Sequence, residues 1–254
     1  MYESGEAWAA GPTRIYDRLA EALVARAPES LEGATVLDLG AGTGAASRAI
    51  SAAGGWPIAI DLSAGMLRHD RLNRPPAAVG DASLLPLRDD SVDAVVAACS
   101  ISHVPDPSVA LLEVARVTRP GGRVVASVFS SRSGHPAKAL VDAVAARYGY
   151  KPPSWYEDFK ARVEPLTSSI DALFDVARGA GLADAVVVER PVDVGVRDPQ
   201  TLVAWRTGLA QLSPFVDGLD AGRRAALLEE CRAAVGEDPP PLVPLMLFLT
   251  ARAF

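Results

Sequence analysis

The chain has 254 residues, of which 49% are hydrophobic and 22% charged, and a formal net charge of −6; that length suits one core with insertions. No run of about eighteen apolar residues occurs, so no membrane partner is expected. The scattered basic residues carry no footprint for a nucleic-acid backbone. Met1 to Ala10 carries Glu3 and Glu6 where a secretory signal places basic residues, which points to a cytoplasmic protein. Cys99 and Cys231 share no pattern with the histidines, so neither a disulfide framework nor a metal site is expected.

Between Pro12 and Ala27, apolar residues fall at helical spacing at Ile15, Leu19, Ala22, Leu23 and Ala27, and Pro28 stops the run. Short apolar runs suited to buried parallel strands follow at Thr35 to Leu39, Pro57 to Ile60, Ala77 to Val79, Val92 to Ala98 and Arg123 to Phe129. Helical stretches at Gly44 to Ala53, Ser63 to Leu72 and Pro107 to Thr118 separate most of them. This alternation predicts right-handed crossovers and a parallel sheet with helices on both faces. Beyond Phe129, Ser130 to Pro136 reads as a loop, and Tyr148 to Thr167 mixes prolines, aromatics and charges. Ser169 to Gly181 reads as a helix and Ala185 to Glu189 as a strand. Helices over Pro199 to Leu209 and Ala221 to Val235 precede a final apolar strand from Leu242 to Ala251.

The first chemical signal is the run from Val36 to Ala45, VLDLGAGTGA, a glycine-rich turn that leaves a buried strand and enters a helix. Glycine tolerates positive φ and has no Cβ, so the backbone of such a turn can approach a nucleotide-like ligand closely. Gly40, Gly42 and Ala45 also satisfy a dinucleotide fingerprint, which leaves a nicotinamide-dependent oxidoreductase as an alternative. Two of three nearby carboxylates weigh against it. Asp38 stands where a pyrophosphate would lie near and suits a cationic or amine-bearing ligand. Asp61 ends the second strand, placed for both ribose hydroxyls, and fits either reading. Asp81 ends the third strand, where it can accept from an adenine amino group.

The stretch from Thr35 to Phe129 resembles the class I S-adenosylmethionine-dependent methyltransferases, in particular the small-molecule group that includes ubiquinone and menaquinone methyltransferases. Val36 to Gly44 is similar to that family's first motif, Asp61-Leu62-Ser63 with Met66 to its second and Gly80-Asp81-Ala82 to its third. Ser91 to Val95 is similar to its fourth strand, and Leu112 to Gly122 to its turn into the fifth. The likeness covers roughly residues 33 to 130. It implies an α/β, Rossmann-like, seven-stranded sheet, mostly parallel with the last strand antiparallel.

The resemblance also implies roles. Gly40 and Gly42 pack against the methionine part of S-adenosylmethionine, Asp61 holds the ribose, and Asp81 with Ala82 frames the adenine. Leu62 and Met66 pack on the base, Asp38 lies near the cofactor's amino group, and Tyr16 closes over the cofactor. Asp93 is expected to cap the fourth strand. The run from Ala97 through Cys99 to Asp106 lies beside the transferable methyl and lacks the Asn/Asp-Pro-Pro-aromatic signature of nucleic-acid amino methylation. His103 is the candidate base for a hydroxyl acceptor, His135 the second candidate, and His69 a surface residue. One domain is expected over residues 1–254: a helical cap over 1–32, a cofactor-binding core over 33–130, and acceptor-pocket or lid insertions over 131–168 and 198–240. Trp155, Tyr156 and Phe159 would line the first insertion, and Trp205 and Phe215 the second. The expected partner is a small-molecule acceptor, the state a monomer or homodimer, and S-adenosylhomocysteine the product. A non-methylating, cyclase-like protein on the same fold stays open as an alternative.

Overall fold

The computed structural model describes residue 8 and residues 11–254. Glu3 and Glu6, on which the reading of the N-terminus rests, lie outside the described residues, as does most of the cap before Gly11. Among the described residues no helix is long and apolar enough to cross a membrane.

Helix α1 (Thr13–Val24) leads into β1 (Thr35–Leu39), α2 (Ala45–Ala52), β2 (Trp56–Asp61), α3 (Ala64–Arg68), β3 (Ala77–Val79), β4 (Val92–Ala98), α4 (Pro107–Val117) and β5 (Thr118–Phe129). Helices α5 (Pro136–Arg147), α6 (Ser154–Asp158) and α7 (Ile170–Gly179) precede β6 (Ala183–Pro191). The chain ends with α8 (Pro199–Thr207), α9 (Ser213–Asp217), α10 (Ala221–Val235) and β7 (Leu245–Arg252). The seven strands form one sheet in the order β3-β2-β1-β4-β5-β7-β6. β1 to β5 run parallel, and β7 is antiparallel to both of its neighbours.

The period-2 alternation of the strands sorts the core into two layers. Val36, Ala94, Val96, Val125 and Phe248 point to the layer covered by α1, α2 and α8, where Leu19, Ile50 and Leu202 pack. Leu37, Leu39, Val95, Val124 and Leu249 point to the opposite layer, under Leu111 and Val114 of α4 and Leu173 of α7. A third cluster lies off the sheet, where Val141 and Val144 of α5 meet Val203 of α8 and Leu227 and Cys231 of α10.

Several boundaries differ from the expectation. The helix expected to run to Leu72 stops at Arg68, because His69 turns extended (φ −61°, ψ 128°), so His69 is a half-buried cap residue and not a helical surface position. The last strand begins at Leu245, three residues late; Pro244 has no amide to give to a ladder, yet its carbonyl accepts from Val192 at 3.0 Å. Helices α5, α6 and α9 were not expected. Helix α5 is capped by His135, whose Nδ1 accepts from the Ala137 amide, a cap that the usual Ser, Thr, Asp or Asn signal does not reveal.

Candidate functional site

At the carboxyl end of β1 the chain turns through Gly40, Gly42 and Gly44, whose φ angles are +71°, +53° and +93°. A Cβ on Gly40 would stand 2.3 Å from the Cβ of Ser100, so the approach of the loop to the segment after β4 requires glycine there. The loop is held on all sides. The Gly40 amide donates to the Ile60 carbonyl at 2.8 Å, the Gly42 amide to Asp61 Oδ2 at 2.8 Å, and the Ser100 hydroxyl to the Leu39 carbonyl at 2.6 Å. Arg74 closes the far side by donating to the carbonyls of Gly42 (2.9 Å) and Met66 (3.3 Å).

Asp61 therefore braces two loops, since its Oδ1 accepts from the Ser63 amide at 2.7 Å. Each carboxylate oxygen keeps a second lone pair for a ligand hydroxyl. Asp38 is buried and accepts from the Ser47 hydroxyl at 2.5 Å, tying β1 to α2. Burial pushes its carboxyl up to about 6, against the opposing hydrogen bond from Ser47. Asp38 is thus ionised at neutral pH, where a cationic group beside it gains most. Asp81 is exposed and turns its Oδ1 to the Ser83 amide at 2.8 Å.

Strand β4 ends at Ala98, and Cys99 follows with φ +55°, a conformation that costs a non-glycine residue about 1 to 3 kcal/mol. This strained corner redirects the chain into the short turn Ile101–His103. Burial pushes the Cys99 thiol up to about 12, so it is a packing residue and not a nucleophile. The His103 ring stacks on Phe159, with centroids 5.2 Å apart and planes 12° apart. Burial pushes its imidazole down to about 4, with Glu164 pulling the other way, so His103 is neutral at pH 7.

These elements enclose one cleft of about 700 Å³ at the carboxyl ends of β1 to β4, across the point where strand order reverses. Tyr16, Asp38, Gly40, Gly42, Asp61, Leu62, Met66, Asp81, Ala82, Cys99 and His103 all line it. Among the described residues Arg68 is the single lysine or arginine in its wall, which the three carboxylates outnumber. Trp8 also lines the cleft and was missed by sequence reasoning, packing 4.6 Å from the Tyr16 ring; Ser100 lines it within the run expected there, but its bond to the glycine loop was not foreseen. Arg74 and Ser47 were missed as well, and the irregular stretch around Arg74 offers no periodic signal.

Other candidates lie elsewhere. Asp93, expected to cap β4, has a structural role of a different kind: it accepts from the Thr35 amide at 2.8 Å and pairs with Arg119, which clamps β4 to β1. His135, the second candidate base, is spent as the α5 cap and on the Pro240 carbonyl at 3.0 Å, and it is not in the cleft wall. Trp205 is buried in the core layer under α1, and Phe215 packs 5.4 Å from Tyr150; neither lines the cleft. Phe159 reaches it only through His103.

The protein-family comparison matches residues 37–126 to the methyltransferase domain family. A demethylmenaquinone methyltransferase of Mycolicibacterium paratuberculosis is 43% identical over 116 residues, which cover 46% of this chain and 49% of that one. The chain thus spans about half the length of the curated relatives it matches. Among solved structures, an S-adenosylmethionine-dependent methyltransferase of Thermotoga maritima superposes with a TM-score of 0.55 at 17% identity, covering 98% of this chain and 94% of that one. A [4+2]-cyclase superposes with a TM-score of 0.54 at 23% identity, covering 93% and 80%. At such identities the structural likeness concerns the fold alone.

Proposed function

We propose, from the match of residues 37–126 to the methyltransferase domain family, that the chain is a class I S-adenosylmethionine-dependent enzyme that transfers a methyl group from S-adenosylmethionine to a small-molecule acceptor, at oxygen, nitrogen or carbon. We place this activity in the cytoplasm and in bacterial specialised metabolism. The observation that carries the reading is the convergence of the glycine loop, Asp38, Asp61, Asp81 and His103 on one cleft at the sheet's switch point.

The cofactor supplies an electrophilic methyl on a positively charged sulfur, which a carboxylate-rich wall favours. Gly40 and Gly42 leave room for its methionine part, and Asp61 offers one lone pair on each oxygen to the ribose hydroxyls. Asp81 with Ala82 takes the adenine edge, Leu62 and Met66 cover the base, and Tyr16 and Cys99 close the wall. Displacement needs an aligned and desolvated acceptor more than it needs an acid or base. For a hydroxyl acceptor, the neutral ring of His103 receives the proton. The insertions over 131–168 and 198–240 shape the acceptor's space. Because the likeness to the demethylmenaquinone enzyme covers under half of this chain, a quinone acceptor is not carried over with it.

Calorimetry with S-adenosylhomocysteine and with NADH, followed by product masses from a panel of acceptors, tests the proposal. Heat from S-adenosylhomocysteine and a methyl-sized mass gain are expected. Heat from NADH alone would reverse the cofactor assignment, and cofactor binding with no methylated product from any acceptor would favour the cyclase-like alternative.

A further inference from the structure

A second cavity, of about 360 Å³, lies among the added helices and is lined by Lys138, Asp142, Tyr150, Tyr156, Lys160 and Arg206, with Ala146 and Pro152. Lys138, Asp142 and Ala146 are spaced four apart on α5 and so share one face. Arg206 comes from α8, and its side chain is only 3% exposed. Its Nε and Nη2 fork onto the two oxygens of Asp142, both at 2.7 Å. The third nitrogen, Nη1, is buried and makes no hydrogen bond of regular geometry, though Tyr156 on the same cavity wall interacts with the guanidinium.

The charges around this cavity do not balance. Asp142 is answered by Arg206, and Lys160 pairs with Glu164 one turn further on. Lys138 has no carboxylate at ion-pair distance among the described residues. Burial, with Arg206 and Lys160 close by, pushes its ammonium below the ordinary lysine range, while Glu164 and Asp142 act the other way. A buried guanidinium nitrogen without a regular hydrogen bond is costly, and such groups are rare unless something else satisfies them. A salt bridge meant only to pin α8 on α5 needs neither Lys138 nor the spare nitrogen.

The cavity is also next to the cleft. Tyr156 lines the cavity and stacks on Phe159 at 6.3 Å, and Phe159 stacks on His103 at 5.2 Å. Two ring contacts thus separate the cationic wall from the histidine in the cleft wall. Resting on the methyl-transfer reading above, we propose that the cavity framed by Lys138, Lys160 and Arg206 receives an anionic group, a carboxylate or a phosphate, carried by the acceptor. The guanidinium's spare nitrogen and the Lys138 ammonium each donate to that group. The acceptor is then elongated: its anion is held among α5, α8 and the turn carrying Lys160, while its nucleophilic end lies past the aromatic stack on the His103 side.

The test titrates inorganic phosphate and, separately, benzoate into the full chain without cofactor. It does the same with Lys138→Gln and Lys160→Gln, at a half-buried and an exposed position, with chemical denaturation confirming that both variants fold. Saturable heat is expected in the wild type, weakened at least about tenfold in Lys138→Gln, the loss of one charge-assisted hydrogen bond. The ratio of the two affinities tells a phosphate site from a carboxylate site. S-adenosylhomocysteine should bind all three proteins alike; no heat from it would sink the methyl-transfer reading while leaving the anion measurement readable. An acceptor panel then compares molecules bearing a carboxylate or phosphate with their neutral counterparts. Preference for the anionic members, collapsing in Lys138→Gln, is the expected result. Anion heats that are absent, or unchanged in both variants, would overturn the site. Heats lost in the variant with the panel preference unmoved would make it a site for a free anion and overturn its link to the acceptor.

Discussion

Residues 33–130 and residues 131–254 both cap helices with polar side chains, but only the first also uses them to brace the cleft's glycine loop. In the first region Asp61, Ser100 and Arg74 are aimed at the backbone of a single loop, so the cleft owes its shape to main chain that a few side chains hold in place. In the second region polar groups cap helices, as Ser169, Asp198 and Asp220 do, or join one helix to another, as Arg206 does to Asp142 and Arg147 to Glu230. A site built from braced backbone is encoded within a few consecutive residues. One built from helix faces depends on which faces meet, and that is decided by packing far along the chain.

The largest expected effect falls where the two regions touch, at His103 against Phe159. With a hydroxyl acceptor, His103→Gln should lower turnover by about 10²- to 10⁴-fold while cofactor affinity hardly changes. Because burial holds the imidazole at about 4, neutral His103 is present above that pH and lost below it. The acid limb of the wild-type rate profile should therefore lie well below the ordinary histidine range near 6.5. Turnover per folded molecule measured across pH checks this. Equal rates for wild type and variant would remove His103 from the reaction, and a limb near 6.5 would show a ring more hydrated than its contact with Phe159 indicates.

Within the first region alone, Asp61→Ala should weaken S-adenosylhomocysteine binding by about tenfold to hundredfold, since hydrogen bonds to a charged group are worth about 1.5 to 3 kcal/mol. The variant removes the acceptor of the Gly42 and Ser63 amides together with the ribose contacts. Asp61→Asn, which keeps one carbonyl acceptor, should fall between wild type and alanine. An unchanged dissociation constant in folded Asp61→Ala would place the ribose elsewhere.

The strand and helix periods from Thr35 to Phe129 were readable in the sequence because the central strands β1 and β4 are covered on both faces, while the exposed edge strand β3 is betrayed only by its short apolar run. The residues that the resemblance assigns to the cofactor share one cleft with His103, whereas His135, Trp205 and Phe215 lie outside its wall. What was not readable is long-range. Ser100 matters because a loop 61 residues earlier passes within reach, and Arg74 because its irregular stretch folds back beneath Gly42. Trp205 reads as a lid aromatic until Gly11 is seen against the backbone at Ala204 and Trp205, placing that helix against the core. Helix α5 has a weak apolar stripe and a cap no rule lists, so nothing in its sequence announced the face that carries Lys138 and Asp142.

The smallest expected effect is the one that most directly separates the two regions. His135 looked like a second base because it follows β5 by a few residues, as His103 follows β4. Its ring is fully engaged: Nδ1 accepts from the Ala137 amide at 3.2 Å, and with the proton on Nε2 the ring donates to the Pro240 carbonyl at 3.0 Å. His135→Ala should then cost about 0.5 to 2 kcal/mol of stability, the usual loss of a helix N-cap, with turnover per folded molecule unchanged. His135→Asn should restore much of the cap and none of the Pro240 bond, giving a loss between the two. Chemical denaturation of the three proteins gives the stabilities, and initial rates normalised to folded protein give the turnover. A drop in rate without a drop in stability would bring His135 into the chemistry, and the added region would then supply a reacting group as well as a wall.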